Sequence, residues 1–373
     1  MQSTLIDVPR GLAGVAVADT AISDVNGAEG YYQYREHSAV ELARTASFEE
    51  VWHLLVVGHL PSGSELGAFS ERVQAAQRSA ELARVIGSLR GGAAQTSLTP
   101  LAGLKAAWPL LSAARGMRPV YDLDDDGRLA DAVELAAAAP IVLAALHGAG
   151  RDALPGRGVV ANYLFQVTGR VPSAAQERAL TAYLVAAMDH GFNASTFTAR
   201  VIASTGADVA SSLAGALGAL SGPLHGGAPA RALDSLDEVG SPERIEPWVR
   251  AQLAAGRRIM GFGHAVYRTV DPRSALLKEV ARGFGGARVE FAAQFEESVE
   301  RLLAELKPGR ELHANVEFYA AVVMELCGLP REMLTPTFAV ARTIGWTAHV
   351  LEQARDPKII RPSARFVGPS LGA

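Results

Sequence analysis

An all-α chain in two parts is what this sequence predicts, and three observations carry that prediction. Capped amphipathic segments recur along it, convincing alternating strands are scarce, and 373 residues suffice for two hydrophobic cores. Hydrophobic residues make up 49% and charged residues 20%, the balance of a folded globular protein rather than a disordered one.

The elements follow in order. Residues 31–35, YYQYR, suggest a short hairpin arm, and nothing resembles a series of βαβ units. In SFEEVWHLLVVGHLP, Ser47 and Glu50 stand in capping-box register. Val51, Leu54 and Leu55 share one face, and Gly58 and Pro61 mark the stop. The longest apolar run, LAAAAPIVLAAL at 135–146, is too short for a bilayer and interrupted by Pro140; it reads as core helix. Ser173 and Gln176 repeat the capping box, Leu180, Leu184 and Ala187 line a face, and Gly191 is placed to end that helix. Asn315 can cap a helix and set Glu317 at its positively polarised start. A last helix is expected to begin with Thr335 as cap and Pro336 at its first position. Glycine- and proline-containing breaks at 221–229 and 261–273 interrupt this pattern, and loops on a rigid scaffold are where chemistry usually sits.

Composition excludes several classes. A formal net charge of −4 argues against a nucleic-acid binder. The single cysteine, Cys327, rules out disulfides within the chain and a cysteine-rich metal site. The N-terminal residues lack the basic-then-apolar order of a signal peptide, so a cytoplasmic protein without membrane attachment is expected. DLDDDG at 122–127 begins like a calcium loop, but Val133 stands where the closing glutamate belongs, so an acidic helix start explains it better. GFGHAV lacks a third glycine and a preceding strand, which removes a dinucleotide site, and no hydrolase or zinc-protease motif is present.

His190, His225 and His264 remain, each in a turn-like stretch, the last two beside glycines that let a ligand approach the backbone. Taken singly, each reads first as a hydrogen-bonded loop histidine and second as a catalyst. Arg268, Arg273, Arg342 and Arg361 follow them, and Arg342 lies inside the apolar TFAVARTIGW, where a guanidinium needs a reason such as a bound carboxylate.

Together these stretches become specific. DHGFNASTFTARVIASTGAD, GALSGPLHGGAPA, GFGHAVYRTVDPR, NVEFYAAVV and ARTIGWTAHVLEQ occur in an order and spacing that resemble the citrate synthase family, and the likeness runs from about residue 11 to 370. The resemblance implies a two-domain, almost all-α homodimer, with a large domain of 1–226 and 332–373 and a small domain of 227–331. It implies condensation of an acyl-CoA, acetyl-CoA first and propionyl-CoA second, with oxaloacetate, followed by thioester hydrolysis without cofactor or metal. His225, His264 and Glu317 would be catalytic. His190, Arg273 and Arg342 would hold oxaloacetate, joined by Arg361 from a second subunit. Arg268, Gly261 and Gly263 would meet CoA, with Lys307 and Arg310 as further candidates drawn from charge and location. The motif starts almost at once, which implies a dimer without the extra N-terminal domain of the long hexameric relatives. One position departs from the family pattern: Glu317 stands where relatives carry aspartate, which leaves open a low-activity or inactive paralogue that binds CoA or a dicarboxylate for regulation.

Overall fold

The computed structural model describes residues 5–369 except Ser97, Ala149, Pro223, Leu224, Gly226, Gly227 and Ala265, and omits the side chains of 93–96, Ala228 and Pro229. Sixteen α-helices and three short strands are present among the described residues. The expected caps form. Glu50 N donates to Ser47 Oγ at 3.2 Å and Ser47 N to Glu50 Oε2 at 2.7 Å, and Gly58 ends that helix with φ 115°. Ser173 and Gln176 make the same reciprocal pair at 3.2 and 3.0 Å.

The YYQYR arm is the middle of three antiparallel strands, β1 (Ser23–Asn26), β2 (Tyr31–Tyr34) and β3 (His37–Ser38), in that order. Alternation along β2 sends Tyr32 and Tyr34 inward. Tyr34 Oη donates to Val185 O at 2.8 Å and Tyr32 Oη to Ala186 O at 3.2 Å. Those carbonyls belong to the last turn of helix Ala174–Ala187, where the intrahelical ladder has run out. The arm therefore fixes the chain just before His190.

The central element is helix Leu334–Gln353, buried along nearly its whole length. It packs against Phe48–Val57, Asp125–His147, Ala174–Ala187, Ala194–Ala203 and Val209–Leu220. A second group, Ala228–Val239, Ile245–Ala254, Pro272–Arg282, Ala287–Leu306 and Val316–Leu326, packs around Phe295 and Phe318, whose rings stack at 5.8 Å. The groups meet where Ala174–Ala187 touches Pro272–Arg282 and Val316–Leu326.

Three local expectations need correction. Pro140 does not break its segment: Asp125–His147 is one helix of 23 residues. An internal proline costs roughly 3 kcal/mol, and burial of Leu135 through Ala145, save half-exposed Ile141, offsets it. That helix is also long and apolar enough to cross a membrane, so length does not exclude a span; its most apolar window is 67% buried, as in a core helix. The helix before His190 ends at Ala187, with Met188 as cap, and Gly191 (φ 64°) turns the chain three residues later. The last helix begins at Leu334 rather than after Thr335, because a 3-10 turn over Arg331–Met333 feeds straight into it and makes a side-chain cap unnecessary.

Gly345 is where the central helix approaches the His190 segment most closely: a Cβ there would lie 2.3 Å from Met188 O. Backbone must then move, and overpacking of this kind costs typically about 1–3 kcal/mol. Gly345→Ala is expected to lower the denaturation midpoint accordingly and to weaken whatever His190 binds; unchanged stability would mean that the helices slide apart freely.

Candidate active site

Glu317 sits in the first turn of Val316–Leu326, after Asn315, whose Oδ1 accepts from Glu317 N at 3.1 Å. The glycine loop is sewn to this helix start. Gly263 N donates to His313 O at 2.8 Å, Asn315 N to Gly261 O at 2.9 Å, and Asn315 Nδ2 to Gly263 O at 2.9 Å. Gly261 and Gly263 both take φ 86°, and a Cβ on Gly261 would press on Phe318 at 3.0 Å. Sequence proximity thus becomes spatial: His264 and Glu317 are held by one hydrogen-bonded junction.

His264 Nδ1 accepts from Val266 N at 2.9 Å and Tyr267 N at 3.1 Å. Burial and the Arg273 charge lower its pKa to about 4, so the ring is neutral near pH 7. With Nδ1 committed as acceptor, the proton of the neutral ring is on Nε2. Nε2 lies 3.2 Å from Arg273 Nη2, also a donor. Two donors side by side do not bond each other; they define a place for one oxygen that accepts from both.

Arg273 is positioned by Asp271. Its Nε and Nη2 reach the two carboxylate oxygens at 3.0 and 2.8 Å. Asp271 also caps Pro272–Arg282 and accepts from Val316 N at 3.0 Å, joining the two helices of the site. Arg273 holds the Asp271 carboxyl below its usual range despite burial. His190 Nε2 meets Tyr267 Oη at 2.9 Å, and its ring stands edge-on to His264 with centroids 5.4 Å apart. Burial, reinforced by Arg273 and Arg342, keeps His190 neutral.

Arg342 is 3% exposed; its Nε has no hydrogen-bond partner and its guanidinium lies over the Phe338 ring at 5.0 Å. Among the described residues it forms no salt bridge; Asp189 supports its charge only at longer range. A buried unpaired cation costs several kcal/mol, so this site is built for an anion. Replacing it with an apolar chain, Arg342→Met, is expected to raise the melting temperature of the ligand-free protein while abolishing stabilisation by the anion that binds there. A fall in melting temperature without ligand would show that the charge is satisfied internally.

Burial pushes the Glu317 carboxyl up to about 7 from its ordinary 4.5, with Asp271 adding to the shift and Arg273 opposing it. It faces a narrow cavity of about 20 Å³ shared with Arg273, Phe338, Tyr183, Ala187 and Ala320. The folded state holds this proton more tightly than the unfolded chain, so stability is lost as pH rises from about 4.5 through about 7. Glu317→Gln is therefore expected to match the parent at pH 4 and to melt a few degrees higher, roughly 2–5 °C, at pH 8. Equal melting at both pH values would remove the shift.

His225, half-buried and kept neutral by burial and Arg342, meets Ser195 Oγ at 2.9 Å through Nε2. Trp346 Nε1 donates to the same oxygen at 3.1 Å. The Ser195 proton can go to Asn193 Oδ1, at 2.8 Å, or to His225 Nε2. Asn193 Oδ1 already accepts from Ser195 N and Thr196 N, so it tolerates losing that proton. When the Ser195 hydroxyl donates to His225 Nε2, the neutral ring carries its own proton on Nδ1, which is then the donor.

His190, His264, Arg273, Arg342 and Glu317 form one cluster by these contacts and charge interactions. Arg361 is not in it: it lies on the exposed, irregular tail after Gln353. Arg268 and Arg310 are exposed and Lys307 is half-buried at the end of its helix. Sequence reasoning missed Asp271, Tyr267 and Ser195. Asp271 had a signal, since aspartate before proline is a helix-start signature; the other two had none.

The family profile described as "Citrate synthase, C-terminal domain" matches residues 11–363. The chain is 37% identical to a citrate synthase of Haloferax volcanii, over 97% of this chain and 96% of that one. It is 34% identical to a 2-methylcitrate synthase of Mycobacterium tuberculosis, over 97% of this chain and 91% of that one. Its fold matches the ternary complex of carboxymethyl coenzyme A and oxaloacetate with citrate synthase from Thermoplasma acidophilum, with TM-score 0.87, 26% identity, and coverage of 98% of both chains. The chain belongs to the citrate synthase family, whose members are acyltransferases.

Proposed function

We propose that this protein condenses acetyl-CoA with oxaloacetate and hydrolyses the resulting thioester to citrate and CoA, with Glu317 as the base. The observation that carries the reading is a buried, anion-seeking Arg342 stacked on Phe338, which lines the pocket of a carboxylate whose pKa is near 7. Oxaloacetate supplies what the donors lack. Its carboxylates meet Arg342, Arg273 and His190, and its keto oxygen takes the place between His264 Nε2–H and Arg273.

The methyl group of a thioester is a very weak acid, so proton removal needs two aids. Glu317 at pKa about 7 is a stronger base than an ordinary carboxylate yet is substantially ionised near neutrality. His225 Nδ1–H donates to the thioester oxygen and stabilises the enol as it forms. The enol carbon then attacks the keto carbon. Charge developing on the keto oxygen is met by His264 Nε2–H, and the two backbone donors on His264 Nδ1 stabilise the ring if it gives up that proton. The glycine loop with Arg268, Lys307 and Arg310 is the CoA side of the site, and the 227–331 helices form a smaller domain that closes over it to exclude water. No cofactor is required by this chemistry.

The 20 Å³ space beside Glu317 holds about one water-sized group. The glutamate side chain is one methylene longer than the aspartate of relatives, and this tightness supports acetyl over propionyl. The kcat/KM for acetyl-CoA, measured by release of CoA thiol, is expected to exceed that for propionyl-CoA by about 10-fold or more. A reversed ratio would make the protein a 2-methylcitrate synthase. Oxaloacetate binding without turnover of either thioester would make it a regulatory paralogue. With acetyl-CoA, kcat/KM is expected to rise with pH and level off above about 7 as Glu317 ionises.

Arg361 completes the oxaloacetate site of a partner copy in this reading, which makes the enzyme an obligate homodimer. Arg361→Ala and Glu317→Gln are each expected to be inactive alone. After subunit exchange an equal mixture should recover about a quarter of parental activity, since half the dimers then carry one intact site. No recovery would mean that Arg361 does not complete the partner's site.

A further inference from the structure

The larger of the two cavities described shares no lining residue with the pocket at Glu317. It encloses about 730 Å³, within the range of pockets that bury a small organic ligand. Leu82, Ile86 and Ile141 give it an apolar floor, and its walls carry Arg78, Arg90, Arg151 and Arg157 against one carboxylate, Asp152.

Arg157 is ion-paired, to Glu177 at 2.6 Å. The other three guanidiniums meet neutral acceptors. Arg90 Nη2 donates to Gly148 O at 3.3 Å, Arg151 Nη1 to Gln166 O at 3.0 Å, and Arg78 Nη1 to Gln74 Oε1 at 3.4 Å. Arg90 approaches Gly150 and Arg151 approaches Gly148: a Cβ on Gly150 would lie 2.4 Å from Arg90 Nη1, and one on Gly148 3.5 Å from Arg151 Nη1. Neither guanidinium has an ion pair among the described residues, so an anion in the cavity would supply a charge partner that their neutral acceptors do not.

Gln166 is a second, independent observation. It lines the cavity and is 7% exposed; its Nε2 donates to Arg151 O at 3.0 Å, but its Oε1 is buried without a partner. An orphaned buried acceptor costs about 1–3 kcal/mol, and a ligand hydroxyl would satisfy it. A phosphate suits the two arginines better than a carboxylate, because its three acceptor oxygens can meet guanidiniums arriving from different sides.

We propose that this cavity is a second ligand site, for an organic phosphate. Its apolar body lies on Leu82, Ile86 and Ile141, its phosphate between Arg90 and Arg151, and a hydroxyl reaches Gln166 Oε1. The test is calorimetric titration of the full chain with 1-naphthyl phosphate, with 1-naphthol and inorganic phosphate as the two halves of the probe. Saturable binding of 1-naphthyl phosphate is expected, at least 10-fold tighter than either half. The R90Q/R151Q double variant should weaken it by about 10-fold or more, and Ala83→Trp, which fills the cavity from an exposed position, should abolish it. Both variants should keep parental thiol release, which also shows that they fold. Arg342→Met should bind the probe like the parent. No saturable binding, binding equal to that of 1-naphthol, or binding that survives R90Q/R151Q would overturn the proposal; so would binding lost in Arg342→Met, which would move the probe to the histidine site.

Discussion

The carboxylate of Asp271 is the interaction on which the site depends. It starts one helix as its cap, accepts from the first backbone N–H of the Glu317 helix, and grips Arg273 through both oxygens. Those bonds fix the base, the cation and, through Arg273, the imidazole of His264 in one frame. Burying a carboxylate and a guanidinium together is costly unless their geometry is good and their remaining bonds are made. Here the carboxylate accepts two backbone donors in addition to the two guanidinium bonds. Removing Asp271 would release the helix start, the arginine and the glycine loop together.

Arg342 stands in contrast to this completed pair. Arg273 has its counter-ion inside the protein, while Arg342 forms no salt bridge among the described residues and stands on the central helix with an orphaned Nε. The fold tolerates the second because Leu334–Gln353 is otherwise packed on seven neighbouring helices among the described residues. Stability elsewhere offsets a deficit that the substrate removes. Both histidines beside Arg273 are kept neutral by burial and positive charge, so they act as hydrogen-bond donors rather than cations. Glu317 is shifted the opposite way by the same burial, and the two directions together make acid and base roles possible near pH 7.

Much of this was legible from residue order. Ser47, Ser173 and Asn315 cap helices because their side chains meet backbone donors two or three residues on, a local matter that sequence encodes directly. Arg342 was conspicuous because a guanidinium in an apolar run demands an explanation. What was not legible was tertiary. Pro140 looked like a break because the compensating burial comes from helices far away in the chain. Tyr32 and Tyr34 suggested a hairpin but not their task of satisfying the helix end before His190. Tyr267 and Ser195 are ordinary residues until folding brings His190 and His225 within 2.9 Å of their hydroxyls.

The most direct test of the account is CoA-thiol release by Glu317→Gln beside the parent, with the oxaloacetate-induced rise in melting temperature measured on the same samples. The account predicts that turnover falls by about 10²–10⁴-fold, the usual worth of a general base, while the thermal response to oxaloacetate is kept because Arg273 and Arg342 are untouched. Turnover within a few-fold of the parent would contradict it, since some other group would then be removing the proton.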